Sequence, residues 1–349
     1  DGEGYFTPGK EWNVKITGGG DAGTILSPVR EIEEASGPLE LKASIEGPWD
    51  NPSIAGTLGL REAGRLKVRA LDYSFENIAL KATFLGSEGL SIETLEANFG
   101  TGRVKCEGRW EMDGIKPGEL KLFAVAQNIS YEFAKDARYN LDADFLLTGT
   151  LKAPEIRGEV RLNSLLYRQH LRWRTSVLNM LGSKPPAAPS VVNAVEDREG
   201  TPFIDIAIRG DENLRVENNL AELDLIADLR VRGYLPDPLV FGKVRVRDGF
   251  LRFRGRIFEL LRAEVDFLGD AGPGAVLDAA STTEVGQYSV NISAAGPLND
   301  MRIELSSDPP LPRTDIISLL ALGTTSENIS GEDVTAYEAT SFLTGGLQD

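Results

Sequence analysis

Between Leu223 and Phe253 the chain alternates between apolar and polar residues, and that period of two constrains whatever is built around it. Leu223, Leu225, Ala227, Leu229, Val231 and Gly233 fall on one side, with Asp224, Ile226, Asp228, Arg230 and Arg232 on the other. Successive side chains of a strand point to opposite faces, so the pattern predicts a β-strand with one apolar face. Pro236 and Pro238 mark a turn, after which Gly242, Val244 and Val246 continue the apolar side. Asp248-Gly249 is a two-residue hairpin signal, because a type I′ turn needs positive φ at both central positions. On that reading Val246 pairs with Leu251, and Val244 with Phe253.

The same strand–loop–strand frame recurs. Leu41, Ala43, Ile45 and Gly47 lead through Pro52 to Ile54, Gly56, Leu58 and Leu60. Leu141, Ala143, Phe145, Leu147 and Gly149 lead through Pro154 to Ile156, Gly158, Val160 and Leu162. A fourth copy runs through Val290, Ile292, Ala294 and Gly296, with Met301 and Leu305 in place of the proline and second glycine. In every copy the positions two, four and six before the first glycine are apolar, so the copies share parity as well as spacing. Their starts are unevenly spaced, which excludes a solenoid of fixed period. Arg65 to Leu71, Asn77 to Leu85 and Leu90 to Phe99 are further short strands, an all-β rhythm. Gly18-Gly19-Gly20 reads as a flexible joint, and Gly100-Thr101-Gly102 as a strand bend, since no helix follows to make a dinucleotide site.

Composition narrows the function. A net charge of −16 argues against nucleic acid, whose phosphates need a basic surface. One cysteine, Cys106, leaves no disulfide framework or Cys-based zinc site, and one histidine, His170, removes most His-dependent catalysis and metal binding. No catalytic residue, metal or cofactor is therefore assigned. No apolar run is long enough to span a bilayer, and the start at Asp1 carries no signal peptide. Residues 164–181 place Leu166, His170, Trp173, Val177 and Leu181 at helical spacing, with Arg168 and Arg172 on another face. This is either a surface helix on the sheet edge or a basic interfacial helix touching anionic lipid. Residues 182–200, rich in proline, read as a linker between two halves of one array, 1–181 and 201–312. On the polar face Lys243, Arg245, Arg247, Arg252 and Arg254 need compensation, which Glu264 and Asp266 of the next strand can supply. A docking site for an anionic partner is the alternative.

The most specific motif comes late: Leu305-Ser306-Ser307-Asp308-Pro309-Pro310-Leu311-Pro312, then Thr314 to Gly323. It reads as a strand, a proline break, and a short helix with Thr314 as N-cap and Gly323 at its end. The helix is apolar nearly all round, so Ile316, Ile317, Leu319 and Leu320 are expected to be buried as a cap against the end of the β-structure. Residues 330–346 have the spacing of a second capping helix, making 313–349 a helical cap. The segment resembles the signature of the TamB family, the translocation and assembly module subunit. Val246 to Phe253, Leu277 to Ala280 and Tyr288 to Ile292 look like the same family, and the Gly-Pro-Gly frames are similar to its upstream repeats.

The resemblance implies an all-β, elongated antiparallel β-taco, a sheet folded lengthwise into a U with an apolar groove and short helices near the C-terminus. It also implies a periplasmic piece of a protein anchored in the inner membrane by an N-terminal helix outside this chain, whose C-terminal end meets an Omp85-type, TamA-like outer-membrane barrel. The groove would hold phospholipid acyl chains. Its expected lining is Leu41, Ala43, Ile45, Leu58, Leu60, Ala143, Phe145, Leu147, Val160 and Leu162 in the first half. In the second half it is Leu223, Leu225, Leu229, Val231, Val244, Val246, Leu251, Phe253, Val290 and Ile292. With about 25 strands spaced ~4.8 Å, such a sheet would run on the order of 100 Å.

Three function classes follow. The first is a non-enzymatic lipid conduit between the inner and outer membranes. The second is a scaffold or chaperone for outer-membrane protein assembly and secretion, offering sheet edges to client strands. The third is an enzyme using paired carboxylates, which the many Asp and Glu residues on polar strand faces explain without catalysis.

Overall fold

A computed structural model describes residues 2–7, 10–27, 32–69, 73–113, 116–132, 136–168, 200–253, 255–269, 274–298 and 300–325. The elements of the first half are β1 (Gly2–Thr7), β2 (Glu11–Asp21), α1 (Ala22–Leu26), β3 (Ile32–Ser36), β4 (Pro38–Pro48), β5 (Ser53–Val68), β6 (Ser74–Gly86), β7 (Leu90–Phe99), β8 (Gly102–Asp113), β9 (Lys116–Glu132), β10 (Ala137–Thr150) and β11 (Ala153–Tyr167). The second half holds β12 (Phe203–Glu217), β13 (Ala221–Tyr234), β14 (Leu239–Phe253), β15 (Arg256–Leu268), β16 (Ala275–Val285), β17 (Tyr288–Pro297), β18 (Arg302–Asp308) and α2 (Arg313–Leu322). All eighteen strands belong to one sheet. From β4 onward each strand pairs with the next in sequence, β3 extending the edge that β4 presents to β5. The all-β, elongated taco is thus the observed architecture.

The frame glycines explain the uniform register. Ala43 faces Gly56, Phe145 faces Gly158, Leu229 faces Gly242, and in the fourth copy Ile292 faces Leu305. A Cβ at Gly242 would lie 2.2 Å from the Asp228 carbonyl oxygen, so this close backbone approach admits only glycine.

Several expectations change. The sheet is mixed, because β11 and β12 run parallel, with Glu155 beside Phe203 and Tyr167 beside Val216. A parallel pair needs a connection that returns the whole strand length, which no hairpin supplies. Residues 164–167 belong to β11 and Arg168 follows its end outside any helix; the rest of the helix candidate with His170, and nearly all of the linker, lie at 169–199, outside the described residues. Gly18, Gly19 and Gly20 are paired within β2, and Gly100-Thr101 is a turn between β7 and β8. Residues 53–68 form one bent strand where two were expected, so the strands are longer and fewer.

Asp248-Gly249 is not a hairpin. It lies inside β14, where Leu225 pairs with Val246, Asp224 with Asp248, Leu223 with Gly249 and Ala221 with Leu251, leaving Arg247 as the extra residue of a bulge. Val244 pairs with Ala227 and Val265, and Phe253 with Arg256. Glycine is required there for close approach: φ is +145°, and a Cβ would meet the Glu222 carbonyl oxygen at 2.2 Å. Gly249→Ala is therefore expected to destabilise the fold by roughly 1–3 kcal/mol, read as a lower Tm. Gly18→Ala, whose Cβ meets nothing within 4 Å, should leave Tm unchanged.

That bulge is one of a line. Register shifts also occur in β5 before Gly64, in β6 beside Asn77, in β9 at Gln127-Asn128, in β11 at Asn163 and in β12 before Leu214. Asn77, Asn128 and Asn213 adopt φ of 52°, 54° and 55°, a conformation asparagine tolerates better than most side chains. A bulge bends its strand and increases twist. Aligned across neighbouring strands, these bulges fold the sheet lengthwise.

Candidate binding groove

Cross-strand partners in a ladder share a face, so the register traces the apolar surface directly. One row runs Leu39, Leu60, Leu80, Leu95, Cys106 and Ala124 over β4 to β9. It continues through Phe145, Gly158, Ile206, Val231 and Val240 into β14. Beside it, Leu41, Leu58, Ala82 and Ile92 lead through Gly108 and Leu122 to Leu147, Ile156 and Ile204. A third row joins Ala126, Ala143, Val160, Ile208 and Leu229. No charged side chain interrupts any of these rows.

The residues expected to line one face share it. Ala43 pairs with Ile16 of β2, Ile45 with Val14, Leu141 with Leu162, and Val246 with Leu225. Bulges preserve this by flipping parity: Val246 and Leu251 are an odd number apart yet lie on the same side. Leu251 sits at a strand end and is 37% exposed, and of Phe253 only the backbone is described. Ile45, Leu147, Leu229, Val231 and Val244 are half-buried, where a β-sandwich would cover such side chains fully. Leu60, Ala82, Ala143 and Ile204 of the same rows are buried, so the open part of the groove is carried by the half-buried residues between them.

At the last strands a helix covers the apolar face. Helix α2 packs Ile316, Leu319 and Leu320 onto Phe258, Val285 and Val290, the tightest apolar cluster among the described residues. Ile316 is 1% exposed and Val290 0%, while Ile317 is only half-buried. Tyr288, Ile292, Leu305 and Leu311 border the cluster. The N-cap is Pro312 rather than Thr314, because the proline break sets the helix start two residues earlier, and no side chain caps it. Gly323 ends the helix in the left-handed conformation. Arg256 donates from Nε to the Leu320 carbonyl (3.1 Å) and from Nη2 to that of Leu319 (3.3 Å), placing a cation on the negative end of the helix. The second capping helix expected at 330–346 lies outside the described residues.

The opposite face is a lattice of cross-strand ion pairs. Lys243 bonds Glu264 and reaches Asp266 at 3.5 Å, and Arg252 bonds Glu222 at 3.1 Å. Arg247 instead donates to the Asp211 carbonyl. Asp205 accepts from Arg230 Nε at 2.6 Å and Nη2 at 2.7 Å, and Arg232 lies 3.8 Å away. The Arg230 hydrogen bonds hold its carboxyl below the usual value. A depressed folded pKa gives stabilisation that is complete above the unfolded value of about 3.9 and is lost as pH falls through the folded one. Asp205→Asn should therefore lower Tm at neutral pH, and the gap from wild type should close as the pH is taken below about 4.

Sequence reading missed the side chains that hold the bulge line. Asp142 accepts from the Asn128 backbone N–H at 2.7 Å and from Asn163 Nδ2 at 3.0 Å, and the former bond lowers its pKa. Asn140 Nδ2 donates to Asn128 Oδ1 at 2.7 Å, and Asn163 Nδ2 to Asn140 Oδ1 at 2.9 Å. The available signal was the parity break itself, Ala126 to Ile129 and Leu162 to Leu165, each beside an asparagine.

A family model of the TamB C-terminal domain matches residues 93–349. The chain belongs to the TamB family. No curated protein matches it. The matched stretch begins within β7, but the apolar rows of this TamB chain continue unbroken through β6, β5 and β4. Among the described residues no helix is long and apolar enough to cross a membrane, which says nothing of strands. No group of three or more His, Cys, Asp or Glu residues poised for a metal occurs among the described residues.

Proposed function

We propose that this TamB chain forms part of a periplasmic conduit that carries phospholipid acyl chains between the inner and outer membranes, without catalysis. The observation that supports it is the set of uninterrupted apolar rows left half-covered along the sheet. Each acyl CH₂ left in water costs about 0.8 kcal/mol. A continuous apolar wall lowers that cost at every step, and the process needs no nucleophile or cofactor. With β3 and β4 sharing one place beside β5, seventeen strands spaced ~4.8 Å make a wall of roughly 75–80 Å. The family's periplasmic setting and its association with a TamA-like barrel fit delivery toward the outer membrane.

The test is extraction of fluorescent phospholipid from vesicles by the purified chain. A conduit takes up several lipids per chain, in proportion to groove length; uptake of none contradicts it. The scaffold reading draws on β18, whose only strand partner among the described residues is β17, and on Ile303, exposed on that edge strand. It expects client strands to bind there by β-augmentation whether or not the groove is altered.

A further inference from the structure

We propose that the strand ends around Arg168 and Arg252 form a binding site for the headgroup of a zwitterionic phospholipid, a phosphate beside an ammonium. The inference rests on the conduit reading and names where a lipid's polar end is held. Arg168, Glu217, Asn218, Asn219, Glu222 and Arg252 line an open concavity of about 470 Å³. It lies where β11, β12 and β14 end and β13 begins, along one long edge of the sheet.

The charges are two arginines and two glutamates, so the site is neutral overall. Arg168 donates from both Nε (3.0 Å) and Nη2 (2.8 Å) to a single oxygen of Glu217. That geometry uses one side of the guanidinium, leaving Nη1 without a partner among the described residues. Arg252 donates from Nη2 to Glu222 at 3.1 Å and lies over the Phe250 ring at 4.5 Å, a contact that orients it. Arginine's fork matches phosphate oxygens, and the carboxylates match an ammonium. The loop is built: Asn218 Oδ1 accepts from the backbone N–H groups of Leu220 and Ala221, both at 2.9 Å.

The position relative to the groove carries the argument. Glu217 and Glu222 face each other on the polar side, while the adjacent pair Val216 and Leu223 lies on the apolar side. Leu251 lies on the apolar side next to Arg252. A diacyl lipid with its chains over the accessible Leu223 and Leu251, which rest beside the buried Leu214, puts its phosphate at this edge. The opposite long edge differs, presenting exposed Trp49, Leu151, Tyr234 and Leu235.

The experiment is calorimetric titration of the whole chain with dihexanoylphosphatidylethanolamine, dihexanoylphosphatidylglycerol and glycerophosphoethanolamine. Wild type should bind the ethanolamine lipid about tenfold more tightly than the glycerol lipid. The double variant R168Q/R252Q should weaken the ethanolamine lipid about tenfold, and E217Q/E222Q should invert the preference toward the anionic lipid. All four side chains are solvent-accessible, so Gln leaves the ladder intact, which an unchanged Tm verifies. If lipid binds but neither variant alters the preference, the headgroup site is wrong and the conduit stands. If neither lipid binds wild type, both fall. Glycerophosphoethanolamine binding as tightly as the lipid would overturn the lipid assignment in favour of a free phosphodiester.

Discussion

Val231→Arg is expected to stop lipid passage while the chain still folds. Val231 sits mid-strand in β13 between Ile206 and Val240, in the row that spans β4 to β14. A charge stranded on an apolar wall meets a desolvation penalty of several kcal/mol, and 1.4 kcal/mol is already a factor of ten in an equilibrium. Transport should therefore fall by more than about tenfold. Folding survives because the wall is open: a long arginine side chain can lay its stem on the groove and keep its guanidinium in water. The control is Phe123→Arg, the same kind of change on the other face, where Phe123 is 45% exposed between Glu107 and Leu146. Lipid transport in cells carrying each variant reads the difference. A scaffold that works through its edges expects the two variants to behave alike.

The second large effect is at the capped end. Ile316→Ala removes a fully buried side chain from the cluster with Val290 and Phe258, and such truncations cost about 2–5 kcal/mol. Most of the sheet is held by ladder neighbours rather than by one compact core, so the loss should stay local. Hydrogen exchange should accelerate in α2 and in β15 to β18, with β8 to β11 unchanged. Arg256→Leu should produce a smaller change in the same region, because it removes the cation bonded to the Leu319 and Leu320 carbonyls. Uniform acceleration across the sheet would show that α2 supports the whole array rather than closing one end.

Parity was the legible part of this fold. The Gly-Pro-Gly frames share spacing and parity, and the common face follows from alternation alone; the partners themselves, Ala43 with Gly56, Phe145 with Gly158 and Leu229 with Gly242, are set by the ladder. The buried helix 313–322 was readable too, since a helix apolar all round has no side to show to water. What was hidden is what bulges hide. Asp248-Gly249 satisfies a hairpin's requirement for positive φ and a bulge's requirement for close approach, and local sequence does not separate the two. The same ambiguity divided residues 53–68 into two strands, raising the expected count. The parallel junction of β11 and β12 depends on a long-range pairing that periodicity does not report. Thr314 is an acceptable N-cap by residue type, yet the rigid φ of Pro312 had already set the helix entry.

The conduit account is tested most directly by photo-crosslinking from inside the groove. A benzophenone side chain placed at Leu147 or Val231, in the full-length protein in cells, samples whatever lies against the apolar rows. At Phe123 and Arg230 it samples the polar face, where Arg230 is bonded to Asp205. Mass spectrometry of the purified protein should show phospholipid adducts at Leu147 and Val231 and none at Phe123 and Arg230. Equal labelling of the two faces, or protein adducts without lipid at Val231, would contradict the account.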